Sequence, residues 1–437
     1  MRRFTACILV IGLLIPNFSC AIQKPNLVGR KSTRFFPESF LIAQAQAAYA
    51  GEKKRNPASK IAQHNRIVQR VGDRLITIAQ RDYSQNCRGF KWEVKLFDRP
   101  KIVNAYCMPG GKIAFYTGIL PICKTEAGVA AVMGHEISHA LLNHGNERIS
   151  RQLGVTGLMI GALYGLNRTK TDDRTRQIIM AGLGLGSQVG LMLPFGRKQE
   201  SESDRLGLFI LAKAGYDPSE APEIWVRMGK KSKGQQPFEF LSTHPSHSSR
   251  IADLTALQPQ AQELYLRSAV MLVNAVNQTP GHEQAPIALE RAATALEATQ
   301  RFDSARSLYQ RIIDEVGPQT SDDPTRQQSL DRIVANAYFR VAYNANRGFE
   351  FEEAVSNYRT LVDSPRFARS SDTTIQGFRR DALVNTAVIM ERLQRYDEAL
   401  RYYREIIDSS SADAEPSRSP TTTSTPLSRR LREWAWP

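Results

Sequence analysis

The chain has 437 residues, of which 42% are apolar and 23% charged, and it carries a formal charge of +15. That length calls for two or three domains, and that composition is globular and excludes a membrane bundle. The excess charge suits an anionic membrane surface or an acidic partner, or serves solubility alone. No basic stripe is interleaved with aromatics and no finger-type spacing occurs, so nucleic acid is not expected as a partner.

The amino terminus, MRRFTACILVIGLLIPNFSCAIQ, sets Arg2 and Arg3 before an apolar run from Phe4 to Ile15. A bilayer-spanning helix needs about 20 apolar residues, and this run is shorter. Ser19 and Ala21 supply the small-x-small pattern of a signal-peptidase site, which predicts a leader over 1–21 and a protein that works outside the cytoplasm. Acylation at Cys20 is the alternative, with Asn17 and Phe18 standing where a lipobox has Leu and a small residue. Cys87, Cys107 and Cys123 have no zinc-ligand spacing. They allow one disulfide or act as small buried apolar residues.

In MPGGKIAFYTG, Gly110 and Gly111 read as a turn into a strand, Lys112 to Thr117. A strand there is expected to offer a free edge to an extended substrate. Thr125 is the expected N-cap of a helix running through TEAGVAAVMGHEISHALLNH, with Glu126 in its first turn. On that helix His135 and His139, four apart, lie about 40° from each other and can aim ring nitrogens at one zinc ion. Glu136 lies about 100° round, where a general base stands beside the metal. The metzincin pattern needs Gly at 142 and His at 145, and Leu142 and Gly145 exclude it. His144, nine residues past His135, falls on the opposite side of a continuous helix, which gives it a surface or second-layer role.

GVTGLMIGALYGL and IIMAGLGLGSQVGLMLPF flank a polar loop, 167–177, and read as close-packed helices rather than a membrane hairpin. A second helix is expected from Arg197 to Lys213, ending at Ala214-Gly215. Glu200 and Asp204 share one face of it. Glu200 can complete a His-His-Glu site, and Asp204 can accept a hydrogen bond from a ligand histidine. Alone, ESESD reads more readily as a solvated acidic patch; the upstream HExxH reverses that in favour of the site.

GHEISHALLNHGNER, ESESDRLGLFILAKAGYDP and STHPSHSSRIADL closely resemble the M48 metallopeptidases, and NAYCMPGGKIAFYTGIL resembles the same family's strand and turn. The resemblance covers about Ala43 to Leu254. It implies a mainly α, gluzincin-type zincin fold with a small β-sheet and one zinc per chain. His135, His139 and Glu200 then fall on the metal ligands, Glu136 on the catalytic base and Asp204 on the acid one turn past the third ligand. The family usually has E-x-E-A-D, and Ser203 here replaces Ala. His244 falls on a family histidine, with three readings open: a donor to the oxyanion, a zinc ligand in a resting state, or a structural residue. His247 and Arg250 are expected to anchor that loop, and His64 and His282 carry no role.

Beyond Leu257 the pattern is helical. FDSARSLYQRIID from Phe302, FEEAVSNYRTLVD from Phe351 and YDEALRYYREIID from Tyr396 align without gaps. They resemble the second helix of a tetratricopeptide-like repeat, in which Ala permits close approach and Tyr fills the groove. Their starts are wider apart than the usual period, and loops 317–328 and 364–374 are expected to absorb the excess. A Ser/Thr/Pro-rich tail from Ser409 reads as disordered, and LSRRLREWAWP as a peripheral membrane or partner contact or a frayed end. The expected domains are thus 22–257 for the protease, 258–408 for the all-α repeats and 409–437 for the tail.

The expected function is zinc-dependent endoproteolysis of unfolded protein or peptide segments. Resemblance to repeat-bearing periplasmic members implies a periplasmic role in quality control of misfolded envelope proteins. The repeats would recruit substrates or an outer-membrane partner. The alternative is a chaperone or assembly scaffold acting through the repeats, with latent or vestigial proteolysis.

Overall fold

The computed structural model describes residues 24–25, 28–151, 196–232, 239–244 and 248–412. The expected leader with Cys20, the two glycine-rich segments, His247 and the tail beyond Ala412 lie outside the described residues. The chain divides into two compact units after Ala305.

In the first unit a two-residue ladder, β1 (Lys24–Pro25) with β2 (Lys31–Ser32), precedes helices α1 (Glu38–Arg55) and α2 (Ala62–Asp82). Then come strands β3 (Glu93–Phe97), β4 (Ala105–Met108) and β5 (Lys112–Tyr116). Helix α3 (Glu126–Leu141) is followed, after the undescribed segment, by α4 (Arg197–Lys213) and α5 (Glu220–Ser232). The unit continues through α6 (Glu239–Thr243), α7 (Ser248–Ala256), α8 (Gln258–Gln278) and α9 (Ala285–Ala298). No helix among the described residues is long and apolar enough to cross a membrane.

The expected strand is present, but its edge is not free. The sheet order is β3-β5-β4, with β5 parallel to β3 and antiparallel to β4. All five residues of β5 are buried, as a central strand covered on both faces requires. The neighbour that occupies its edge is KWEVKLF, an alternating stretch around β3 that carries the signal of a half-buried strand. Pro109 and Gly110 turn the β4–β5 hairpin, Gly110 taking a φ of 83° and Gly111 donating its N–H to the Met108 carbonyl at 3.1 Å. Cys87, Cys107 and Cys123 are all free, the first and last of them buried.

Helix α3 begins where its cap predicts: the Thr125 hydroxyl accepts from the Gly128 N–H at 3.0 Å. From Gly128 to Leu141 every residue is buried. Its Val129, Val132, Met133, Ile137 and Leu141 each contribute about 1.5–3 kcal/mol by leaving water. Polar groups at 135, 136 and 139 are carried into that core with them.

Helices α3 and α4 cross with their backbones in contact. A Cβ on Gly207 would stand 2.8 Å from both the Gly134 carbonyl carbon and the His135 nitrogen, and one on Gly134 would stand 3.0 Å from the Gly207 oxygen. The crossing therefore falls one residue before His135 and one turn past Asp204.

The repeat helices start at the residues the aligned segments indicate: α10 (Phe302–Val316), α12 (Phe351–Asp363) and α14 (Tyr396–Ala412). The unit boundary falls in the first turn of α10. Between them lie α11 (Pro324–Arg347) and α13 (Thr373–Arg392). After α10 the excess length is held mainly in the long helix α11, while after α12 it is shared between α13 and residues 364–372, which contain the short helix Pro365–Ala368. Pro324 opens α11 at a position read as loop, because Asp323 caps the helix by accepting from the Thr325 N–H at 2.9 Å. Ala354 and Tyr358 are fully buried, as the repeat resemblance requires.

Gly207→Ala is expected to lower stability by about 1–3 kcal/mol through overpacking. Gly145→Ala, where an added Cβ meets nothing within 4 Å, should leave the urea midpoint unchanged. Equal midpoints for the two variants would contradict the helix contact.

Candidate metal centre

Four side chains from three places converge in the first unit. His135 and His139 come from α3, Glu200 from α4, and His244 from the residue following α6. One ligand atom from each lies within 4.8 Å of all the others, and all four residues are buried. The His135 and His139 Nε2 atoms are 3.0 Å apart. Glu200 Oε2 lies 3.5 Å from His135 Nε2, and Oε1 lies 3.4 Å from His139 Nε2. Such a group of imidazoles and a carboxylate could hold a metal ion.

Glu136 stands beside the group, with Oε1 3.4 Å from His244 Nε2. That oxygen is buried and has no hydrogen-bond partner among the described residues. Burial raises the Glu136 carboxyl above the usual range, opposed by the positive charge of nearby imidazoles. Burial would raise Glu200 as well, but His244 and Arg250 hold it well below the usual range. The two carboxylates are thereby separated, one ready to hold a proton and one kept ionised.

The histidines are separated too. Burial drives His139 well below its ordinary value, so it stays neutral. At His135 burial is outweighed by Asp204 and Glu200, which raise the ring to about 9. Asp204 Oδ1 lies 2.9 Å from the His135 Nδ1, leaving Nε2 for the cluster.

Arg250 does more than anchor a loop. It is 2% exposed, donates to both Asp204 oxygens at 2.6 Å, and places Nη1 2.5 Å from Glu200. Its guanidinium stacks 3.5 Å from the centre of the Trp225 ring, which also packs on His135. One cation thus fixes two acids from a single helix turn. Sequence reading left Arg250 with the loop because it lies 46 residues from Asp204; the buried Trp225 was a signal without a visible partner.

His144 also needs correction in its geometry. Helix α3 stops at Leu141, Asn143 takes a φ of 58°, and residues 144–151 form a new helical segment. The break turns His144 back toward the site, fully buried, with its Nδ1 3.0 Å from the Nδ1 of His139. Its Nε2 lies 2.9 Å from Glu202, which pairs with Arg30. Second-layer placement holds, but by a route a continuous helix does not offer. Asn at 143 was the available signal, since it tolerates the left-handed conformation.

A buried HExxH helix crossed by an acid-bearing helix is the layout of a gluzincin-type metal site. Residues 62–258 match the model of Peptidase family M48, and residues 381–410 match a tetratricopeptide repeat. The chain therefore carries a peptidase family M48 domain followed by a tetratricopeptide repeat. It is 40% identical over 168 residues to the mitochondrial metalloendopeptidase OMA1 of Arabidopsis thaliana, covering 38% of this chain and 32% of that one. Over 197 residues it is 36% identical to the OMA1 of Schizosaccharomyces pombe, with 45% and 53% covered. With the beta-barrel assembly-enhancing protease of Escherichia coli it shares 25% identity over 235 residues, 48% of each chain. The chain thus spans about a third to a half of the length of these relatives.

A His135 ring raised to about 9 by Asp204 and Glu200 would have to give up a proton to bind a metal ion through Nε2. Zinc affinity, measured by competition with a chelator, is therefore expected to rise about tenfold per pH unit between about pH 6 and pH 9, then level off. A flat profile across that window would contradict this.

Proposed function

We propose that the chain is a zinc-dependent metalloendopeptidase with His135, His139 and Glu200 as metal ligands. The observation that carries the reading is their convergence beside the buried carboxylate of Glu136, whose Oε1 accepts no hydrogen bond among the described residues. Separations of 3.0–3.5 Å between the ligand atoms are close to the edge of about 3.4 Å that bonds of about 2.1 Å make around a tetrahedral centre. Nitrogen and oxygen donors of this kind suit zinc.

A zinc ion held by these residues would supply Lewis acidity and lower the pKa of a water bound beside Glu136. Glu136, its carboxyl raised by burial, takes the proton of the attacking water and passes it to the leaving amine. Asp204 and Arg250 fix the tautomer of His135 and the position of Glu200. Strand β4 lies at the sheet edge and packs on α3, with the Cys107 N–H beside Glu136. Its outer edge takes over the substrate-pairing role expected of β5, and backbone pairing there would favour unfolded segments.

His244 is read as the resting-state ligand. Its Nδ1 lies 3.1 Å from Glu200 and 3.3 Å from His135 Nε2, inside the cluster and not beyond it. In that position the ring would stand where an attacking water has to bind, which makes the enzyme latent for as long as His244 stays in the cluster.

For the biological role we propose quality control of misfolded envelope proteins in the periplasm, with the repeats recruiting substrates or an envelope partner. The leader-like amino terminus and the likeness to the beta-barrel assembly-enhancing protease support it. A scaffold with vestigial proteolysis is the weaker reading, because His135, His139 and Glu200 stand together with Glu136 beside them.

Casein cleavage and zinc content test the reading. Glu136→Gln should keep one zinc per chain and lose about 10²–10⁴-fold in rate, and His135→Ala should lose the metal. Wild-type protein that binds no zinc would sink the proposal. His244→Ala should raise the rate if the ring blocks the site; a lower rate would instead assign it to the oxyanion.

A further inference from the structure

The carboxyl end of α4 is capped by an arginine from α9. Arg291 donates from Nη2 to the Ala214 carbonyl and, at 3.4 Å, to that of Gly215. Its guanidinium lies where a side chain on Gly215 would stand. Capping uses one nitrogen of three. The Nε is buried and has no hydrogen-bond partner among the described residues.

Nor does Arg291 meet a carboxylate there. The charged group that bears on it most is another cation, Arg74, and burial together with Arg74 pulls the Arg291 guanidinium down to about 10. Arg74 is answered only by a tyrosine: it donates to the Tyr216 hydroxyl at 3.2 Å and packs on that ring. Buried charges are ordinarily paired. Here two half-buried, neighbouring guanidiniums share a place with no carboxylate in contact among the described residues.

Both arginines line a cleft of 490 Å³ between α2, the end of α4 and α8. The other cations of its rim are matched: Arg81 and Lys213 by Asp82, and Arg267 by Glu263. The remaining wall is mostly apolar. Leu264, Met271, Leu272 and Ala275 fall on one face of α8, with Ile78 of α2 beside them. Met271 is 60% exposed, at the edge of this apolar surface.

We propose that this cleft binds one amphipathic anion, a carboxylate or phosphate monoester on an alkyl chain. The head group sits on Arg74 and Arg291, and the chain lies along α8. The walls are helix surfaces whose backbone groups are bonded within their own helices. They offer a peptide neither a strand edge nor a nest of N–H groups for its carboxyl terminus. An alkyl chain asks for neither, which is why the assignment is to a lipid-like anion.

The purified full chain would be titrated calorimetrically with laurate and with dodecyl phosphate, each below its micelle concentration. Dodecyl maltoside supplies an uncharged chain, acetate a head group without a chain. One site per chain for an anionic amphiphile is expected, and the tighter of the two identifies the head group as carboxylate or phosphate. Arg291→Met should weaken binding about tenfold or more. Because that change also removes a helix cap, Met271→Glu at an exposed position provides the second variant, with the same expected loss. No binding by either anion would overturn the proposal, as would equal binding of dodecyl maltoside or acetate, or full affinity in both variants. Binding only of a peptide with a free carboxyl terminus would overturn it in favour of a peptide.

Discussion

The contact between Gly134 and Gly207 sets the geometry of the candidate centre. Helices kept apart by side chains pack about 8–10 Å between axes; two glycines at the crossing let the backbones touch. Imidazoles from α3 and a carboxylate from α4 can then meet with their atoms 3.4–3.5 Å apart. The same crossing places Asp204 against the back of His135. Convergence of the side chains and orientation of His135 thus both follow from one close approach, and the buried apolar length of α3 holds it in place.

Such a site is costly to build, because Glu136, Glu200 and Asp204 are all withdrawn from water. Arg250 answers two of them and is itself supported by Trp225. Asp204 and Glu200 in turn raise the His135 ring, so that a proton there adds to the positive charge facing the acids. A metal ion held by these residues would supply that positive charge instead. Burial meanwhile keeps His139 neutral and raises Glu136, so the residues read as ligand and as base are tuned by the same dry surroundings.

Most of this centre was legible because its chemistry is local. Helix period alone places His135 with His139 and Glu200 with Asp204, and Thr125 and Gly215 mark the helix ends. The repeat helices were legible for the same reason, their Ala and Tyr spacing being internal to each segment. What escaped depends on partners distant in sequence. The position of β5 is decided by β3 as well as β4, and pairing with β3 cannot be read from β5 itself. Arg250 reads as a loop residue until α7 packs near α4. Only the direction His144 faces was misread, for a local reason: a single left-handed residue at Asn143 breaks the helix.

The central claim is that one metal ion sits between the two crossed helices. Anomalous diffraction at the zinc edge, from crystals of the zinc-loaded full chain, tests it most directly. The account predicts one peak per chain, within about 2.0–2.2 Å of His135 Nε2, His139 Nε2 and a Glu200 oxygen. A peak coordinated elsewhere, or none in zinc-loaded crystals, would contradict it.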